Sequence, residues 1–134
     1  MKRMILLALF LACGAAQAEE WVSIGSIDDK QTLVDVSSIR IFGDVRTFWV
    51  KGIVAPQSRE GLGIYAGTWL SYLMSREAIN CAEETYREEA KLAFFQDGRS
   101  VDMTAESLKT SWTFIPPESR AQREMKLVCA WTPK

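Results

Sequence analysis

Between residues 21 and 54 apolar and polar positions alternate in short runs, which is the period of β-strands. Trp21-Val-Ser-Ile-Gly-Ser-Ile27 reads as a first extended segment, closed by the turn composition Asp28-Asp29-Lys30. Thr32 to Val36 reads as a second short strand. Asp35, Ser37 and Ser38 follow, with side chains able to bond nearby backbone N–H groups and fix a turn. After the turn at Gly43-Asp44, Val45 to Val54 is the strongest strand pattern in the chain. Its odd set (Val45, Thr47, Trp49, Lys51, Ile53) and its even set (Arg46, Phe48, Val50, Gly52, Val54) are both partly apolar, which predicts an interior strand covered on both faces.

Residues 55–67 contain Pro56, Gly61, Gly63 and Gly67 and read as a long loop. Gly61-Leu-Gly63-Ile-Tyr-Ala-Gly67 is one residue off a dinucleotide-binding fingerprint, but neither a strand-to-helix context nor a downstream ribose-binding acid supports it. Thr68 to Ser75 is again strand-like. Residues 76–95 fit two templates: Ala78, Cys81, Tyr86, Ala90 and Phe94 recur near helical spacing, while Tyr86 to Phe94 also alternates as a strand. Asp97-Gly98 is a hairpin signal, which requires strands on both sides. Near the end, Pro116-Pro117 stops an extended piece around Trp112, and Ser119 with Gln122 makes a capping-box start. Ala121, Met125, Val128 and Cys129 then form one apolar helical stripe.

The N-terminus has a different character. Lys2-Arg3, an apolar run of about nine residues from Met4 to Ala12, and small residues at Ala16 and Ala18 are the parts of a cleavable export signal. The run is short of the roughly 20 residues that span a bilayer. Cleavage between Ala18 and Glu19 makes residues 1–18 a signal peptide and 19–134 the domain. Phe10-Leu11-Ala12-Cys13 also resembles a lipoprotein processing site, which would lipidate Cys13 and place the protein on the outer-membrane surface. That pattern calls for an aliphatic residue where Phe10 stands and a small one where Leu11 stands, so the Ala18 site fits better and predicts a periplasmic or secreted protein.

Removing 18 of 134 residues leaves 116, enough for one domain with one core. Lys2 and Arg3 leave with the signal, so 14 basic residues face 17 acidic ones. That balance gives no general affinity for nucleic acid. Histidine is absent from the chain, which removes its acid–base chemistry and the commonest transition-metal ligand. No metal or other cofactor is expected. Of three cysteines, Cys81 and Cys129 remain in an oxidising compartment and read as a disulfide.

The landmarks Trp21-Val, Leu33-Val34-Asp35 with Ser38-Ile39-Arg40, Trp49-Val50, Asn80-Cys81 with Thr85-Tyr86-Arg87, Trp112 ahead of Pro117, and Val128-Cys129 resemble, in order and spacing, the surface-adhesin protein E family of Gram-negative bacteria. The resemblance implies a single α+β domain. Its antiparallel sheet would have about six strands, with a C-terminal helix packed on one face and tethered by the disulfide, and residues 81–95 would be strand. It also implies binding of host extracellular proteins.

Three functions compete. A non-enzymatic binding protein would recognise a host or envelope protein through exposed aromatics, for which Trp69 and Tyr72, on opposite faces of one strand by simple alternation, are the candidates, while Phe48, Trp49 and Phe94 are expected in the core. The strand before Cys81 carries only Arg76, so no basic stripe for an acidic partner is visible along it. A soluble periplasmic accessory or small-ligand protein would instead hold a pocket between helix and sheet. Catalysis is disfavoured: Asp28-Asp29, Glu83-Glu84 and Glu88-Glu89 point to opposite faces of a strand, and although Glu84 and Glu88 could share one, they read as solvated charge. No serine has a histidine to activate it, and no catalytic residue is assigned.

Overall fold

In a computed structural model the described residues are 18–27, 30–54, 64–65, 68–107 and 111–134. Six strands form an antiparallel meander: β1 (Trp21–Ile27), β2 (Lys30–Phe42), β3 (Val45–Val54), β5 (Thr68–Asn80), β6 (Thr85–Phe95) and β7 (Ser100–Asp102), adjacent in that order. Two-residue pieces flank it, β4 (Ile64–Tyr65) against β5 and β8 (Thr113–Phe114) against β6. A single-turn helix α1 (Thr104–Ser107) follows β7, and α2 (Arg120–Ala130) closes the chain. The expected α+β architecture is thus present. The expected loop at 55–67 lies mostly outside the described residues, and so does the signal region through residue 17, including Cys13.

The second strand is longer than its apolar run, because the polar residues Asp35, Ser37 and Ser38 bend it without reversing it. The β2–β3 register shifts between Asp35 and Arg40. Asp35 is buried there, and its Oδ1 accepts from the Glu20 N–H at 3.1 Å, the Ser37 N–H at 3.0 Å and the Ser37 hydroxyl at 2.5 Å. The Ser38 hydroxyl donates to the Asp35 carbonyl at 2.7 Å and accepts the Trp49 N–H at 2.9 Å, so the ladder to β3 continues through a side chain. Asp35→Ala leaves two backbone donors without their acceptor and is expected to cost about 1–3 kcal/mol in urea unfolding. Asp35→Asn keeps the accepting oxygen and should cost clearly less.

Residues 76–95 are strand, turn and strand: β5 runs to Asn80, the chain turns over 81–84, and β6 begins at Thr85. The Asn80 carboxamide oxygen accepts from the Ala82 and Glu83 N–H groups, and Glu84 takes a left-handed φ of 52°, so the turn is fixed locally. Helical propensity loses here because β5 is hydrogen-bonded to β3 on one side and, along its length, to β6 on the other. Asp97-Gly98 makes the hairpin to β7, with Gly98 at φ 85°. The capping box is present but offset: the Ser119 hydroxyl accepts the Gln122 N–H, whereas the Gln122 side chain accepts the N–H of Glu118.

One face of the sheet holds the core. Val34, Val36, Phe48, Val50 and Ile79 pack with Val128 of α2, joined by Met125, Leu127 and Cys129. Further along the same face, Val54, Leu70, Ala93 and Phe95 form a second cluster with Leu73, Val101 and Met103. The Cys81–Cys129 bridge, with a Cα separation of 5.9 Å, ties the end of α2 to the turn after β5. The expectation that β3 is covered on both faces is not met. Its even set faces the core, but Trp49 and Lys51 are only half-buried and Ile53 is exposed, because α2 is packed on the other side.

Candidate functional site

Antiparallel register assembles the face that no described helix covers, row by row. One row joins Asp35, Trp49 and Arg76, the next Leu33, Lys51, Met74 and Leu92, and the next Gln31, Ile53, Tyr72 and Phe94. Since directly opposed residues share a face, these side chains lie together on the side away from α2. Trp21, opposite Asp35, adds an edge aromatic. Half-buried aromatics in this array are organised: the Tyr72 and Phe94 rings stack with centroids 4.5 Å apart, and the Lys51 ammonium sits 4.3 Å from the Trp21 ring centroid and 5.1 Å from that of Tyr72. A solvated sheet face is ordinarily polar; this one is aromatic and aliphatic with cations between. Trp49 and Phe94, expected in the core, belong to it, whereas Phe48 is 1 % exposed and is core.

The face also corrects the reading that no basic stripe exists. Arg40 on β2, Lys51 on β3, Arg76 on β5 and Arg87 on β6 come from four strands, so a stripe runs across the sheet where none runs along any strand. Arg76 and Arg87 share Glu89 at 3.4 and 2.9 Å, and the Arg87 guanidinium lies 4.7 Å from the Trp112 ring. Ser38, Arg40, Thr47, Trp49 and Arg76 surround a recess of about 220 Å³. The Arg40 guanidinium there donates to the Ser37 and Ile39 carbonyls, which leaves its charge without a neutralising carboxylate in those bonds.

Of the two aromatics singled out in sequence, Tyr72 belongs to this face and Trp69 is 43 % exposed beside buried Leu70. The register shift between Leu70 and Tyr72 breaks the simple alternation that put the two on opposite faces. The carboxylate clusters do not assemble. Glu84 lies in the 81–84 turn, away from Glu88; Glu88 faces α2 and meets Lys91 at 3.4 Å, while Glu89 is on the other face; Asp28 and Asp29 lie outside the described residues. Among the described residues no group of three or more Cys, Asp or Glu is placed to hold a metal ion.

A buried ionic cluster joins α2 to the sheet. Glu77 on β5 and Glu124 on α2 are both 0 % exposed, and the Arg120 guanidinium reaches Glu77 at 2.8 Å and Glu124 at 2.9 Å. These are ion pairs by distance, but the N–H directions miss the carboxylate oxygens, so none of the four oxygens has a well-formed hydrogen bond. Burial pushes the Glu124 carboxyl well above its ordinary value, the Glu77 charge adds to the rise, and Arg120 opposes it. Burial disfavours the Arg120 charge, but Glu77 and Glu124 outweigh it and keep the guanidinium ionised. The sequence signal was there: Glu124 interrupts the apolar stripe between Ala121 and Val128, and Glu77 sits between Ser75 and Ile79 on the inward register.

Together these features define a small disulfide-tethered α+β domain that offers a preformed, chemically mixed sheet face and no assembled catalytic group among the described residues. Its sequence matches the surface-adhesin protein E family over residues 21–130, and the chain belongs to that family. Solved structures of Haemophilus influenzae protein E share the fold. One, in its selenomethionine form, has 16% identity and a TM-score of 0.58, covering 81% of this chain and 85% of that one. A second crystal form has 15% identity and a TM-score of 0.55, covering 74% and 80%. Protein E from a non-typeable strain has 11% identity and a TM-score of 0.55, covering 82% and 75%. A search of curated protein sequences finds no match. No helix among the described residues is long and apolar enough to cross a membrane.

Proposed function

We propose that the chain is an exported, non-enzymatic binding protein of the cell envelope that holds a host or envelope protein on its helix-free sheet face. Residues 1–18 are its export signal, cut between Ala18 and Glu19, and residues 19–134 are the binding domain. Family membership supports adhesion as the role. The observation that carries the reading is the half-buried array of Trp49, Tyr72, Phe94 and Lys51, which no helix among the described residues covers, because rigid aromatics with interleaved cations are the chemistry of protein–protein contact centres.

Surface plasmon resonance of the purified domain over a panel of host extracellular-matrix proteins, repeated with Trp49→Ala/Tyr72→Ala, tests it. Where the wild type binds, the double variant should bind at least about tenfold more weakly, equivalent to roughly 1.4 kcal/mol, with an unchanged circular dichroism spectrum. Equal binding by both removes this face from the function. Protease access to the domain on intact cells reports display; protection until the outer membrane is opened would leave an envelope partner as the ligand.

A further inference from the structure

The core face contains a gap that packing alone does not explain. Its two apolar clusters both draw on the even set of β3, Val50 in one and Val54 in the other, and the residue between them is Gly52. A Cβ placed on Gly52 would meet nothing within 4 Å, and the residue is not in the left-handed region, so neither space nor backbone requires glycine. Glycine inside a strand gives up packing and entropy, and it often marks a place where another molecule approaches the backbone. The space it leaves is a cavity of about 330 Å³, at the small end of the range for ligand sites.

The lining is amphipathic. Val50, Leu73 and Ile27 supply apolar surface, and Lys30, Lys91 and Arg120 place cationic groups in the wall, where Lys91 meets Glu88 at 3.4 Å and Arg120 is held from behind by Glu77 and Glu124. Arg120 also opens α2, so the positive end of the helix dipole is at the same mouth. Thr32, directly opposite Gly52 and 3 % exposed, adds a hydroxyl to the cavity wall.

We infer that this cavity binds a small amphipathic carboxylate, with the apolar body over Gly52 between Val50 and Leu73. The carboxylate lies toward Lys91 and Arg120 and accepts from the Thr32 hydroxyl. The site is on the α2 side of the sheet, opposite the proposed protein-binding face, and does not depend on that face having a partner.

The experiment is a titration of the purified, disulfide-bonded protein, followed by amide shifts in 1H–15N spectra. The probes are sodium acetate, hexanoate and octanoate, with 1-hexanol and inorganic phosphate alongside. Hexanoate and octanoate should give saturable shifts at Thr32, Gly52, Leu73 and Ser75, and acetate, phosphate and hexanol should bind at least tenfold more weakly. Gly52→Leu, which fills the cavity, should abolish the shifts while keeping a dispersed spectrum, and Lys91→Gln should weaken octanoate. If Gly52→Leu does not fold, Gly52→Ala should give a partial loss. The inference is overturned by the absence of saturable shifts with every carboxylate, by undiminished binding in the filled variants, by phosphate matching octanoate, or by hexanol matching hexanoate.

Discussion

Replacing Cys81 and Cys129 together by serine is expected to lower the unfolding free energy by about 4 kcal/mol and the melting temperature by about 15–20 °C. The bridge joins residues 48 apart, and closing a loop of that length in the unfolded chain accounts for the size of the effect in the chain-entropy description. Location adds to it. The helix α2 is the only long helix among the described residues, and without the bridge only its apolar stripe and the Arg120–Glu77 ion pair near its start hold it on the sheet. Cys129 lies one residue after Val128, which is fully buried, so loss of the bridge also releases the end of the helix that carries its best-packed side chain. Thermal melts followed by circular dichroism, on the oxidised protein and on the double variant, check this. Single Cys→Ser variants should be no more stable than the pair, since each leaves a thiol that can couple chains. A melting temperature within a few degrees of the wild type would mean that the apolar contacts of Val128, Met125 and Leu127 suffice.

Much of this fold was legible because its signals are local. The strands at 21–27 and 45–54, the hairpin at Asp97-Gly98, the cap at Ser119 and the cysteine pair each depend on residues near one another or on simple counting. What failed to show depends on pairing across strands. The cations of the open face come from four strands and are neighbours only in register. The apolar odd set of β3 looked like a second buried face, because alternation reports polarity and carries no information about whether anything packs there. Residues 76–95 had helical spacing as good as their strand spacing, and the choice was made by sheet pairing, of residues 76–80 with β3 and of 85–95 with β5. Glu77 and Glu124 were hidden for a related reason: each is a charged residue in an apolar register, 47 positions apart, and only the packing of α2 on β5 brings them to one arginine. Gly52 stood inside the strongest strand as a visible irregularity, but its meaning required knowing that no described residue comes within 4 Å of where its Cβ would stand.

That arginine is where the second large effect is expected. Arg120→Ala should cost about 3–5 kcal/mol in urea unfolding, because it removes the single cation from two carboxyl groups that have no exposure to water. Glu124→Gln should be far milder. It keeps the shape, leaves the Arg120–Glu77 pair intact, and removes a carboxyl whose pKa is raised first by burial and then by the Glu77 charge. The pH profile separates the two causes. A carboxyl whose folded pKa lies above its ordinary 4.5 binds its proton more tightly folded than unfolded. Between those two pKa values the folded state therefore carries the extra proton, and stability falls as pH rises from about 4.5 until the folded pKa is passed. Unfolding free energies measured across this window should show that decline in the wild type and lose its Glu124 component in Glu124→Gln. Glu88 and Lys91, which stand beside the cluster, are unchanged in both proteins and cancel from the comparison. An identical slope in both would show that Glu124 is ionised throughout, with Arg120 alone sufficient to hold two buried charges.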